Sequence, residues 1–340
     1  MRMKQTYRTG LLVSRDPRFP WRTIRGKNWE LRFVKDRSSP PRIYDGREVV
    51  VHAYSWKTAQ QAVFLVYDAL VLINGEALTF FSRRRPIAYS DTQAGSDGLP
   101  RELVQHARGF TLSTADIPEA CLIAAKASYN SRYSYALTKY YLSSETYSTP
   151  IVDLDPQNIP HLRLSPFFDD HVRFAVSINL AYSAIEELGM QIKATEANPS
   201  RLPNGQWNPD VKQELESRLR RAGVDLAERL LWSARGPTRR IDKRRPPRPQ
   251  VSASWAFGWV KDSLVDIIDA ISDASWLRSK VATHRFGKLA SSLSPYDVAN
   301  VQHLARRLIL ESLGFWRHEQ RKRRRKRPGG QQNGKPAPAR

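Results

Sequence analysis

A single cysteine, Cys121, stands in the whole 340-residue chain. It excludes an internal disulfide and any cysteine-built zinc site. It also makes the cytoplasm the expected compartment. No uninterrupted apolar run reaches the roughly 18–20 residues that a membrane span needs, so no membrane partner is expected. The basic start, Met1 to Arg8, leads into no apolar stretch of the kind a signal peptide carries. Neither the glycine-rich phosphate loop, Gly-x-x-x-x-Gly-Lys-Ser/Thr, nor the Gly-x-Ser-x-Gly nucleophile elbow occurs. There is no internal repeat. What remains is a chain with 41% hydrophobic and 26% charged residues, long enough to bury a real core and to hold two domains.

Charge is what the sequence has in excess. Fifty-five lysines and arginines stand against 33 acids, a net of +22. Three segments carry it: residues 1–47 at +9, 235–248 at +6 and 317–340 at +9, which leaves the rest at −2. A near-neutral body with three basic segments reads as an electrostatic footprint for a polyanion, most often nucleic acid. The plainer alternative is a solubilising surface with an inert tail.

The first fifty residues read as short strands. Trp29 to Val34 alternates at period two and Val49 to Val51 is β-branched, with Ser38 to Pro41 and Asp45-Gly46 as turns. From Ser55 to Ile73 the apolar spacing turns helical through Ala59, Ala62, Val63, Val66, Ala69, Leu70 and Ile73. Residues 82–110 are rich in turn formers and read as a surface excursion. One further helix is expected from Pro118 to Tyr147, with a tyrosine stripe of Tyr129, Tyr133, Tyr135, Tyr140, Tyr141 and Tyr147. Such a stripe can stack bases, but packing against another helix is the favoured reading.

Prolines crowd residues 149–166 and set a domain boundary there. Beyond it four helices are expected. The first starts near Phe168, with Phe174, Ile178, Ala181, Ile185, Leu188 and Ile192 as its stripe. The second follows the Asn208-Pro209 start and carries Val211, Leu215, Leu219, Ala222, Leu226 and Leu230 up to Gly236-Pro237. The third runs from about residue 256 into the low 280s, and the fourth begins at Ser294-Pro295-Tyr296-Asp297. Four amphipathic helices in sequence argue for a helical bundle. The fold class is therefore mainly α. An N-terminal α+β or helical domain of unknown role spans 1–160, a helical domain 161–316, and a disordered basic tail 317–340.

The third helix holds an anomaly. Its expected apolar stripe is Phe257, Val260, Leu264, Ile267, Ile268, Ile271 and Ser275, and Arg278 falls on the same stripe at about 100° per residue. An arginine on a buried face must be paired or aimed at an anion. His284 follows six residues later and points elsewhere unless the helix ends or loosens near Thr283.

The stretch Trp276-Leu277-Arg278-Ser279-Lys280-Val281-Ala282-Thr283-His284-Arg285-Phe286-Gly287, followed by a proline-capped helix, resembles the signature of the HEPN superfamily. That signature is an arginine, four to six residues, then a histidine, often with a polar residue after the arginine. Ala184-Ile185-Glu186-Glu187-Leu188 in the first helix also resembles a family segment. The likeness covers about residues 168–315. It implies a HEPN-like four-helix bundle and a metal-independent endoribonuclease, needing no cofactor and acting as a homodimer whose two Arg–His pairs share a cleft. It also implies a toxin or defence setting, with an antitoxin or other regulatory partner. Arg278 and His284 are then catalytic. The histidine moves the proton of the RNA 2′-hydroxyl or of the leaving oxygen, and the arginine steadies charge on the phosphate. RNA contacts are expected from Ser279, Lys280, Arg285 and Lys288. They are also expected from Arg239, Arg240, Lys243, Arg244 and Arg245, and from Arg323, Arg324 and Arg325 in the seven consecutive basic residues of the tail. Three alternatives stay open: a non-catalytic RNA-binding protein, a dimerising scaffold, and a merely structural Arg278 paired with a carboxylate such as Glu186. Asp169-Asp170-His171 is read as a helix start in preference to a metal site, and Asp153 and Asp155 as turn residues.

Overall fold

The computed structural model describes residues 4–13, 22–35, 47–75, 85–90, 112–147, 168–235, 252–253, 260–282 and 293–316. These residues are mainly helical. The proline-rich stretch 149–166 and the basic segments 237–250 and 317–340 lie outside them.

The N-terminal sheet is built from β1 (Gln5–Val13), β2 (Ile24–Gly26), β3 (Trp29–Lys35), β4 (Arg47–Ala53) and β5 (Leu112–Ser113), in the order β2-β3-β4-β1-β5. Only the β1–β5 pair is parallel. The period-two pattern of β3 buries Trp29, Leu31 and Phe33, which lie opposite Ala53, Val51 and Val49 of β4. A bulge interrupts β1 between Arg8 and Leu12, where Gly10 takes a positive φ of 69°. The buried Glu48 carboxylate fills it, accepting from the amides of Thr9 and Gly10 at 3.2 Å each and from Arg8 Nε at 2.8 Å.

Helix α1 (Trp56–Asn74) starts at Ser55, whose hydroxyl accepts from the Thr58 amide, and stops at Gly75 in the left-handed conformation. Every residue of the expected stripe is buried, and burial extends past it, with Leu65 to Ile73 covered on all sides. The expected single helix over 118–147 is two, α2 (Ile117–Ser128) and α3 (Ser131–Thr146). Asn130 breaks them: it leaves helical backbone at φ −132° and its side chain caps the Arg132 amide at 3.0 Å. Nor is the whole of 82–110 a surface excursion. Residues 85–90 are tucked along α1, where Gln60 bonds Pro86 and Ala88, the Trp56 indole donates to the Ala88 carbonyl, and Tyr89 bridges to Arg8. The segment has turn composition, but its backbone polar groups find partners on α1 and on β1.

Next come α4 (Phe168–Glu187), α5 (Pro209–Arg221), β6 (Leu230–Arg235), β7 (Ser252–Ala253), β8 (Val260–Val265), α6 (Ile267–Trp276) and α7 (Pro295–Ser312). Two expected helices are therefore shorter than their spacing suggested. The second ends at Arg221, and Leu230 belongs to β6. In the third, Val260 and Leu264 lie in β8, paired antiparallel with β6 in a three-stranded sheet of order β6-β8-β7. Isolated apolar residues at helical spacing are outweighed here by a strand partner far along the chain. Helix α7 keeps its expected start: the Ser294 amide donates to the Asp297 carboxylate at 2.8 Å.

Helix α4 packs on α3, α7 and the end of α6, while α5 rests chiefly on α6. One continuous apolar cluster runs from Tyr7 to Trp316, so α3, before the proline-rich stretch, and α4, after it, share a core. A buried polar knot pins three helices together: Ser143 and Ser177 exchange hydroxyl bonds with each other's carbonyls at 2.8 and 2.9 Å, and the Gln302 amide donates to both hydroxyls and to the Tyr147 carbonyl.

Candidate functional site

Immediately after α6 the backbone passes into a π turn, Leu277–Ala282. The widened i→i+5 turn rotates the residues that follow it relative to the apolar stripe, whose 3–4 spacing runs on from Ala274 to Leu277. Leu277 takes the buried position, and Arg278, expected on the buried face, presents a side chain 39% exposed. A loosening of the helix is present over Leu277–Ala282, and Thr283, its expected place, lies just outside the described residues.

Glu186 from α4 holds the arginine. Its Oε1 lies 3.2 Å from an Arg278 terminal nitrogen, and the guanidinium stands 5.7 Å from the ring centre of buried Tyr182, one helical turn before Glu186. Burial raises the Tyr182 hydroxyl pKa; its bond to Ser275 works the other way. Residues from α4, the end of α6 and the π turn therefore meet at one place. Ser279 is exposed beside it. A guanidinium with one carboxylate partner and an open face retains donors for a phosphate.

Of the predicted site residues, the described structure locates Arg278 and Ser279, and the backbone of Lys280. His284, Arg285 and Lys288 lie outside the described residues, as do Arg239, Arg240, Lys243, Arg244, Arg245, Arg323, Arg324 and Arg325. So do Asp153 and Asp155. Asp169 and Asp170 occupy the first turn of α4, where the helix dipole favours acids, and Arg173 pairs with Asp169 at 2.7 Å. His171 is buried against Phe174. Among the described residues no group of three or more His, Cys, Asp or Glu is placed to hold a metal, and no helix is long and apolar enough to cross a membrane.

Two charged clusters went unread in the sequence. Asp68, fully buried on α1, pairs with Arg85, accepts from the Thr138 hydroxyl at 2.8 Å, and is raised to about 6 by burial. The Arg85 guanidinium stands over Tyr141, 3.8 Å from the ring centre. The available signal was a lone aspartate inside an otherwise apolar helical face. The second cluster is Arg306-Arg307 on α7, set between Leu304 and Leu308. Both side chains are 0% exposed. Arg306 donates to the Leu72 and Ile73 carbonyls at 2.6 Å each, closing the C-terminal end of α1. Arg307 donates to the carbonyls of Asp225 and Glu228 and to Glu311.

No family model, no characterised protein and no solved structure matches this chain.

Proposed function

We propose that this chain is an RNA-directed protein of HEPN type: a metal-independent endoribonuclease in which Arg278 and His284 form the reacting pair, acting as a toxin or defence effector. The observation that carries the reading is Arg278 itself. It sits on a π turn, half-open to solvent, and is steadied by Glu186 from the other segment that resembles the family. Rare turns of this kind recur at functional sites. In the proposed step the 2′-hydroxyl oxygen attacks the adjacent phosphorus and the bond to the 5′-oxygen breaks, leaving a 2′,3′-cyclic phosphate. His284 takes the hydroxyl proton or supplies one to the leaving oxygen, and Arg278 steadies the charge on the non-bridging oxygens. The proposed assembly is a homodimer. Phe168, Val172 and Val176 support it, since they form an exposed apolar row along α4 of the kind a symmetry mate covers. A concentration-independent monomer in light scattering removes the shared-cleft arrangement.

The test is incubation of the full chain with single-stranded RNA in EDTA. Cleavage to cyclic phosphate ends is expected, lost in His284→Ala and Arg278→Ala, with His284→Ala still binding RNA. A second reading has its own observation: Glu186 already balances the Arg278 charge, as it would in a non-catalytic RNA-binding module. RNA retarded but uncut by the wild type selects that module.

A further inference from the structure

Different elements build a basic groove at the N-terminal side of the fold. The β2–β3 hairpin turns through Lys27 and Asn28, with Asn28 at a positive φ of 68°. Its geometry is locked from below. The Trp29 indole lies so close over Gly26 that a Cβ there would stand 2.2 Å from the ring. At the tip, the Lys27 amide donates to the Ser128 hydroxyl at 2.8 Å, fastening the hairpin to the end of α2. Between hairpin and helix lies an open groove of about 460 Å³, its walls including Arg22, Arg25, Leu122, Lys126 and Tyr129. No acid lines it. Glu30 approaches Arg25 only at 3.9 Å, and the Arg25 side chain stays 77% exposed. Lys126 is anchored by the Leu313 carbonyl at 2.9 Å.

Tyr129 gives the groove a second chemistry. Of the tyrosine stripe, Tyr140 and Tyr141 are buried and Tyr133 and Tyr147 pack on the core, which is the favoured reading of that stripe. Tyr129 and Tyr135 depart from it, each 62% exposed. An exposed aromatic ring in a cationic groove offers a face for an unpaired base while the cations follow the backbone phosphates. Duplex bases already stack on one another and offer no such face.

We infer that the groove of Arg22, Arg25, Lys126 and Tyr129 binds single-stranded RNA, with a base stacked on Tyr129 and phosphates against the three cations. This site shares with the nuclease reading only its ligand class and none of its residues. It assigns a role to part of the basic segment 1–47.

The test uses the full chain and a fluorescein-labelled 2′-O-methyl RNA of about 12 nucleotides, a length within the range single-strand sites cover. That RNA lacks the free hydroxyl and cannot be cut, so the result stands whether or not Arg278 and His284 are catalytic. Tyr129→Ala is expected to weaken single-strand binding about ten-fold and Tyr129→Phe to leave it at the wild-type level. The double variant Arg22→Ser, Arg25→Ser should lower the log–log salt slope by about 1.4, two contacts at roughly 0.7 each. The same sequence as a duplex should be insensitive to Tyr129→Ala. Ultraviolet crosslinking should place adducts on Tyr129. All three residues are exposed, so the variants keep the wild-type melting temperature. The inference is overturned if Tyr129→Ala binds the single strand as the wild type does, or if adducts form only in other segments. It is also overturned if phosphatidylserine vesicles bind in preference to RNA and lose that binding in the arginine double variant.

Discussion

Arginine is used in opposite ways at α7 and at the end of α6. On α7, Arg306 and Arg307 are sealed in the core and their donors go to helix-end and loop carbonyls. At the π turn, Arg278 meets one carboxylate among the described residues, Glu186, and its side chain is 39% exposed. A buried guanidinium without partners costs several kcal/mol, so the α7 pair is tolerated because nearby carbonyls, and for Arg307 also the Glu311 carboxylate, accept from it. In return it joins α7 to the end of α1 and to the loop before β6, segments remote in sequence. Arg278 joins α4 to the π turn through a half-exposed ion pair that holds little free energy. The first two serve the structure, and the third leaves part of its guanidinium facing solvent.

The sharpest way to break this comparison is Arg306→Met. The carbonyls of Leu72 and Ile73 lose their donors, and the loss of stability should be about 3–5 kcal/mol in chemical denaturation. A cost below about 1 kcal/mol would show that those carbonyls do not depend on the guanidinium. Next is the polar knot among α3, α4 and α7. Ser177→Val removes the hydroxyl bonds to Ser143 and Gln302 and should cost about 1–3 kcal/mol in the same assay.

Glu311, the buried partner of Arg307, sharpens the comparison through pH. Burial raises it from 4.5 to about 7 against the pull of Arg307. In that window the folded chain holds a proton the unfolded chain has released, so this group's contribution to stability falls as pH rises. The Glu311→Gln protein should gain on the wild type between pH 4.5 and 7, by on the order of 2 kcal/mol across the window. Parallel stability–pH curves for the two proteins would contradict this.

The smallest effect on stability belongs to Arg278→Ala, within about 1 kcal/mol of wild type because the ion pair is half-exposed. Its proposed effect on activity is the reverse of small: loss of RNA cleavage at nearly unchanged melting temperature. Arg278→Lys should not restore cleavage, since an ammonium lacks the planar two-pronged contact. An Arg278→Ala protein that unfolds readily would place this residue with Arg306 as a structural arginine.

Much of the secondary structure was legible because local patterns carried it. The alternation of Trp29 to Val34, the 3–4 spacing of α1, the Asn208-Pro209 start and the Ser294–Asp297 cap each depend on residues within one turn or one strand. The errors came where a distant partner decided. Leu230 and Leu264 sit at helical spacing from their predecessors, yet β6 and β8 pair across residues 236–259, and backbone pairing outweighed a weak local preference. The break at Asn130 was local and readable as a cap, but the continuous tyrosine run concealed it.

The candidate site divides along the same line. From residue types alone came the excess of positive charge, the Arg278–His284 spacing and the choice of Glu186 as a carboxylate within reach of Arg278. The tertiary structure decided which way Arg278 faces: Leu277, at helical spacing from buried Ala274, fills the core position, and Arg278 at the start of the π turn stands half-exposed beside Glu186. It also decided that Arg306 and Arg307 are interior, a placement that depends on the end of α1 arriving beside α7. And it decided that Tyr129, alike in sequence to Tyr140 and Tyr141, stands open beside Arg22 and Arg25. Periodicity reports which face of an element is apolar. Only packing determines what that face meets, and so which charges are neutralised and which are left for a ligand.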